Sequence, residues 1–378
     1  MKKIINYGGH YIDNADILAV AKALRQTKIT QGKNVELFEQ KLKSFFNSKY
    51  SSVVSSGTAA LHLAMLSLNL SNKDKVVTSP ISFLASANCV EYVGAQVDFC
   101  DIDQNTYTID PNYLEDKLKK DKKIKAAIVV DYAGHPADWA SFLYLKRKYN
   151  ITLINDNCHA LGSKINNDPS YALKYADIVT QSFHPVKHIT TGEGGAVMTN
   201  NSLIASNIAL LRSHGMIKKN NKPWHYSMNQ LGYNYRLADI NCALGVSQLS
   251  KLNIFINKRR DVASIYNKNL LIEGIKLPEE KKNIYHSYHL YPVLISFKKL
   301  KINKDLFLKK MLKANVNLQV HYIPIHLQKY YKKKYGFKKG DFKNAENFYK
   351  NEVSLPIYYN LKKLDQLRVI RLIRKILK

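Results

Sequence analysis

The sequence predicts an α/β fold, with a mainly parallel central sheet covered by helices in a large domain and a small α+β domain after it. Three observations carry this. Apolar, β-rich runs alternate with helix-period segments through the first two-thirds of the chain. Those runs are nearly all apolar, which argues for a parallel sheet buried on both faces. The alternation then stops near residue 250, and 378 residues is more than a single core usually serves.

The elements follow in order. Strand candidates are "SSVV" (51–54), "KVVTS" (75–79), "QVDFCDI" (96–102), "KAAIVVDY" (125–132), "ITLIND" (151–156), "DIVTQSF" (177–183) and "GAVMT" (195–199). Helical patterns such as "TAALHLAMLSL" (58–68) and "PADWASFLYLKRKYN" (136–150) lie between them. The second places Pro136 in its first turn and ends in basic residues, as helix ends prefer. Further on, a long helix (roughly 250–269) leads to "YHLYPVLISF" (288–297), a helix, "NLQVHYIPI" (317–325) and two terminal helices. The chain therefore divides into a large domain at 1–250 and a small C-terminal domain at 251–378.

Composition excludes several function classes. No apolar run approaches the ~20 residues of a membrane span, and "MKKIINYGGHYIDN" is too short in apolar residues for a signal peptide. Cys89, Cys100, Cys158 and Cys242 are scattered without metal spacing, as in a reduced cytoplasmic protein. The net charge of +29 invites a polyanion-binding reading, but only nine of the 58 basic residues are Arg and none forms a nucleic-acid module. A positive surface instead steers anionic small substrates. The expectation is no nucleic acid and no membrane.

In an open α/β sheet, ligands sit where strands run into helices. "SSGTAAL" (55–61) follows a strand and opens a helix: Gly57 turns the backbone tightly, Thr58 offers a hydroxyl and Ala59 an N–H, an anion site by geometry and dipole. "INDNCHALG" (154–162) ends an apolar strand with Asp156, a carboxylate that needs a cation if buried; His159 could stack on a bound ring. In "SFHPVKHITTGEGGAVMTN" (182–200), Lys187 sits between an apolar strand and a glycine-broken turn. Partial burial would lower its pKa and make it a carbonyl nucleophile. Ser182 ends that strand, and Phe83 in "SPISFLASAN" follows another, where a ring could cover a cofactor face. A phosphate cradle, an acid for a ring nitrogen and an amine together are what pyridoxal phosphate requires. "GEGG" (192–195) reads as a turn, and "HSYH" (286–289) precedes an alternating strand, so no metal site is expected.

Over essentially the whole chain these blocks resemble the fold-type I, pyridoxal-phosphate-dependent sugar-nucleotide aminotransferases of the DegT/StrS family. Also matching are "ITQGKNVELFEQKL" (29–42), "FCDIDQNTYTIDP" (99–111), "LGYNYRLADINCALGVSQL" (231–249), "VHYIPIHLQKYY" (320–331) and "SLPIYYNL" (354–361). The resemblance implies catalytic roles for Lys187 (Schiff-base lysine) and Asp156 (pyridinium partner). It places His159 near the cofactor ring and Thr58, Ala59 and Ser182 at the phosphate. Asn234 would reach the phosphate across a homodimer interface, and Tyr7, Thr30, His321 and Tyr322 would line the sugar-nucleotide pocket. Ser55, Asn155 and His188 stand where relatives often carry Asn, an acid and Pro. "SFHPVKHITTGEGGAV", "DYAGHP" (131–136) and "LRSHGM" (211–216) are most similar to the 4-aminotransferases of pseudaminic-acid biosynthesis. The implied substrates are UDP-4-keto-6-deoxy-N-acetyl-β-L-altrosamine and L-glutamate. Amination of another nucleotide ketosugar is the nearest alternative; a sugar dehydratase, with histidine for the lysine, and a non-catalytic polyanion binder are further ones.

Overall fold

A computed structural model of the chain describes residues 4–219 and 222–377. Seven strands form the central sheet, in the order Tyr50–Val54, Gly195–Thr199, Ile178–Ser182, Thr152–Asp156, Ile124–Val130, Lys75–Thr78 and Gln96–Phe99. Neighbours are parallel except at Gly195–Thr199, which runs against both strands beside it. Alternate residues supply opposite faces. Ala126, Ile128 and Ile154 enter one core, while Ala127, Val129 and Leu153 enter another. Such strands read as continuous apolar runs because both faces are covered.

One buried carboxylate corrects an expected boundary. The helix expected from Pro136 begins instead at Trp139, with Asp138 as its N-cap accepting the Ser141 N–H. Pro136 lies before it because Asp131, fully buried, gathers this stretch. Asp131 Oδ1 accepts the Ala137 N–H and the Trp139 indole N–H, both at 2.8 Å. Its Oδ2 accepts the amides of Asn155 and Asn157 and the hydroxyl of Tyr171. Five donors hold the charge where a bare one would cost several kcal/mol (about 2–7 for a polar group alone). They also tie together the chain following two neighbouring strands, which steadies the edge where Asp156 sits.

Beyond residue 250 the helix Leu252–Asn269 leads into three antiparallel strands, Ile275–Lys276, Tyr291–Ile295 and Glu352–Leu355. With the helices Lys304–Lys313 and Lys363–Leu377 they enclose a third core that includes Tyr266, Tyr291, Phe307 and Val369. The expected strand at 317–325 is mostly extended chain. Only Val316–Asn317 pairs, in parallel with Ile5–Asn6, and Gln319 bridges Ser354. Three helices, not two, close the chain: Lys329–Tyr335, Lys343–Asn351 and Lys363–Leu377. The strand "EVSL" between them escaped the sequence because a charged Glu352 opens it, yet Glu352 is fully buried. The N-terminal segment is tied down by the Ile357 N–H, which donates to Tyr7 O at 3.0 Å. That places Tyr7 at the edge of the sheet where the strands end.

Among the described residues, no helix is long and apolar enough to cross a membrane.

Candidate active site

A cleft of about 440 Å³ opens at the carboxyl ends of the parallel strands. Lys187 enters it from the loop after strand Ile178–Ser182. Phe183, fully buried against the ring of Phe38 at 5.1 Å, pins the start of that loop. Its carbonyl accepts the Thr191 N–H and the Thr190 hydroxyl, both at 3.0 Å, so the loop closes on itself. Lys187 stays half-buried at its turn, with its own N–H on His184 O. Burial lowers the pKa of its amine, against the opposing pull of Cys158 and Asp156. A lowered pKa leaves more of the amine neutral at a given pH, as nucleophilic or basic work requires.

At one end of the cleft the helix Gly57–Leu66 starts beside Ser182. Its N-cap is Ser56, whose hydroxyl accepts the Ala59 N–H at 3.1 Å. Ala59 is therefore already satisfied, and among the described residues the helix-start N–H groups of Gly57 and Thr58 have no partner. Ser56 was legible as a capping residue two positions before Thr58. The need for Gly57 is closeness rather than a left-handed turn: a Cβ there would lie 2.7 Å from the Ser182 Cβ. Two backbone donors at a helix N-terminus, with the hydroxyls of Thr58 and Ser182 beside them, fit a phosphate.

Asp156 stands at the end of strand Thr152–Asp156 and is 4% exposed. Its Oδ2 accepts the Ser86 hydroxyl at 2.7 Å and its Oδ1 the Cys158 N–H at 3.3 Å. Among the described residues, no lysine or arginine forms an ion pair with it. A buried carboxylate with two neutral donors and no cation suits a protonated ring nitrogen. Ser86 itself has no sequence signature, since it becomes a partner only through a contact seventy residues away in the chain.

Between these ends lie the rings. His159 is buried, and its Nδ1 accepts the Ala133 N–H at 3.4 Å, leaving its proton on Nε2, 3.3 Å from the Tyr322 hydroxyl. Burial, then the charge of Lys187, holds its pKa well below the usual histidine value, so the ring is neutral. Tyr322 stacks on it at 26° and faces Phe83, whose exposed ring also lines the cleft. Tyr7 and His321 complete the wall, their rings 5.1 Å apart.

Two expected site residues lie outside. Thr30 and Asn234 are both exposed and line no part of this cleft. They share a region of surface: Gln31, next to Thr30, donates to Leu237 O at 3.2 Å, and Asn234 lies in the same 231–237 stretch. That stretch is anchored beside the cradle, where the Ser55 N–H donates to Tyr235 O at 2.8 Å.

The chain is similar to known proteins over nearly its whole length. The profile of the DegT/DnrJ/EryC1/StrS aminotransferase family matches residues 10–374. A UDP-4-amino-4,6-dideoxy-N-acetyl-beta-L-altrosamine transaminase of Campylobacter jejuni is 42% identical, covering 96% of this chain and 94% of its own. Among solved structures, Helicobacter pylori PseC, an aminotransferase involved in the biosynthesis of pseudoaminic acid, superposes with a TM-score of 0.92 at 34% identity, over 99% of each chain. The PLP-form of Spr1654 from Streptococcus pneumoniae gives 0.90 at 26% identity over 99% of this chain and 98% of its own. The chain belongs to the DegT/DnrJ/EryC1/StrS aminotransferase family.

Proposed function

We propose that this aminotransferase moves an amino group from L-glutamate to carbon 4 of UDP-4-keto-6-deoxy-N-acetyl-β-L-altrosamine, a step of nonulosonic acid biosynthesis. The observation that carries the reading is the convergence of Lys187, Asp156 and the Gly57–Thr58–Ser182 cradle in one cleft. The similarity to the named transaminases supports the sugar.

Pyridoxal phosphate, when bound, would supply a conjugated ring that takes up the electron pair released at the amino-acid Cα and an aldehyde carbon that carries the amino group from one substrate to the other. Gly57 and Thr58 N–H groups and the Thr58 and Ser182 hydroxyls hold its phosphate. Asp156 keeps the ring nitrogen protonated, and Ser86 aims the carboxylate by donating to Oδ2. Lys187 would hold the cofactor through Nζ and, as a free amine, would take the proton from the glutamate Cα. In the second half-reaction the same nitrogen returns a proton to carbon 4 of the sugar. His159 and Phe83 line the cleft where the ring would lie, and Tyr7, His321 and Tyr322 would exclude water beside it. Both substrates use one site in turn, as ping-pong order permits.

A panel of UDP-, GDP- and dTDP-4-ketosugars offered with glutamate tests the assignment. The UDP-β-L-altrosamine ketosugar is expected to show the highest kcat/KM and to yield 2-oxoglutarate in equal amount. Preference for a GDP or dTDP sugar refutes the proposed substrate.

The exposed shared surface of Thr30 and Asn234 supports a homodimer whose sites each borrow Asn234 from the neighbouring subunit. Mixing Asn234→Ala with Lys187→Ala chains then restores one intact site per heterodimer, so activity rises above both parents. Verified heterodimers without that rise would place Asn234 in its own chain's site or in none. Four unpaired cysteines support a reducing, cytoplasmic setting. We read the chain as two domains, 1–250 and 251–378, with the Ile5–Asn6 strand reaching across to the second.

A further inference from the structure

His321 reaches the cleft at the end of a buried hydrogen-bonded chain that starts at Glu352. The two oxygens of this fully buried carboxylate have different donors. Oε2 accepts the His321 backbone N–H at 2.9 Å, and Oε1 accepts the Ser354 hydroxyl at 2.6 Å. Ser354 Oγ in turn lies 2.8 Å from His321 Nδ1. A serine hydroxyl has one hydrogen to give. With that hydrogen committed to Glu352, Ser354 Oγ accepts, and Nδ1 must carry the ring proton. Burial, and then the charge of Lys187, holds the His321 pKa down to about 3, so the ring stays neutral. The other nitrogen, Nε2, is therefore bare. Among the described residues nothing bonds it, and the ring lines the cleft beside Tyr7.

We propose that Glu352 and Ser354 are positioning residues that lock His321 in its Nδ1–H tautomer, so that Nε2 accepts a hydrogen bond from a hydroxyl or N–H of the amino-acceptor sugar. The choice of a sugar rests on the function proposed above; the tautomer does not. A keto oxygen has no hydrogen to give and would meet the lone pair of Nε2. The sugar is thereby turned with a donor toward His321 and its carbonyl elsewhere in the cleft. Specificity of this kind is strong, because a polar atom left unpaired in a dry site is costly. It also gives a reason for a buried carboxyl at the start of a core strand. Glu352 is retained at a desolvation cost because only an acceptor at Oε1 sets the direction of the whole chain.

Glu352→Gln reverses that direction without changing shape. The amide oxygen keeps the His321 N–H, while the amide NH₂ in place of Oε1 donates to Ser354. Ser354 then turns its hydrogen to Nδ1, and His321 carries its proton on Nε2. The experiment is long-range ¹H–¹⁵N correlation on ¹⁵N-histidine-labelled holoenzyme, with the resonances assigned by His321→Gln. It is run at pH 8.5, above the Glu352 pKa, which burial raises to about 7. Wild type is expected to show a protonated Nδ1 and a bare Nε2, and Glu352→Gln the reverse. In the same variant kcat/KM for the ketosugar should fall by about tenfold or more, while the half-reaction with glutamate, which never uses this contact, is unchanged. A protonated Nε2 in wild type overturns the proposal even if the variant does not fold. So does a reversed tautomer with unaltered sugar kinetics. Failure of the glutamate half-reaction in wild type would instead strike the aminotransferase reading, which keeps the two outcomes apart.

Discussion

Lys187→Ala is expected to lower turnover by about 10²–10⁴-fold, the usual contribution of a positioned proton-transfer group. Among the described residues Lys187 is the only lysine that lines the cleft, so no neighbouring amine takes over. The variant should nonetheless fold at least as well as the parent. The folded pKa of Lys187 is lowered from 10.5 by burial, so the unfolded chain binds this proton more tightly. Below pH 10.5 the lysine therefore subtracts from stability, and increasingly so as the pH falls toward its folded value. Thermal melting of cofactor-free protein should show Lys187→Ala matching the parent at high pH and exceeding it at neutral pH. A variant that melts lower throughout would mean that Lys187 is chiefly structural.

Asp156→Asn should keep the fold and bind the cofactor but run at least about tenfold slower, since a hydrogen bond to a charged group is worth about 1.5–3 kcal/mol. The Ser86 hydroxyl, 2.7 Å from Oδ2, can still donate to an asparagine oxygen there, and only the longer Cys158 N–H contact to Oδ1, at 3.3 Å, is given up. What is lost is the negative charge that favours a protonated ring nitrogen. Near-normal turnover in the variant would reduce Asp156 to a turn former. Ser86→Ala should show a smaller fall in rate, because the carboxylate survives and only its aim is lost.

The reach of the sequence is clear from particular residues. Lys187 was legible because it follows the end of strand Ile178–Ser182 and Asp156 because it ends strand Thr152–Asp156, and strand ends in such sheets are where polar groups meet ligands. The seven strands were legible from their apolar, β-rich runs: Gly195–Thr199 matches at both ends, and the other six have at least one end misjudged by one to three residues. Pro136 misled because its preference for a first helical turn is local, whereas Asp131 holds that segment through five bonds from three stretches of chain. Glu352 was invisible as a strand residue because a charge at the start of an apolar run reads as surface. Its burial makes sense only once Ser354 and His321 are brought beside it. Ser56 illustrates a different gap: the residue was in plain view, but it took the Ala59 N–H that the motif reading had left for a phosphate. Thr30 and Asn234 mark the limit of one chain, since both come to the surface outside the cleft.

The most direct measurement for the whole account is reductive trapping. Borohydride treatment of the pyridoxal-phosphate-loaded enzyme fixes the carbon–nitrogen link between cofactor and protein, and peptide mapping then locates it. The account predicts one pyridoxyl group per chain on the peptide "SFHPVKHITTGEGGAVMTN", at Lys187, and none when the enzyme has first been converted by excess glutamate. A label on any other lysine, or one at Lys187 that excess glutamate leaves in place, would contradict it.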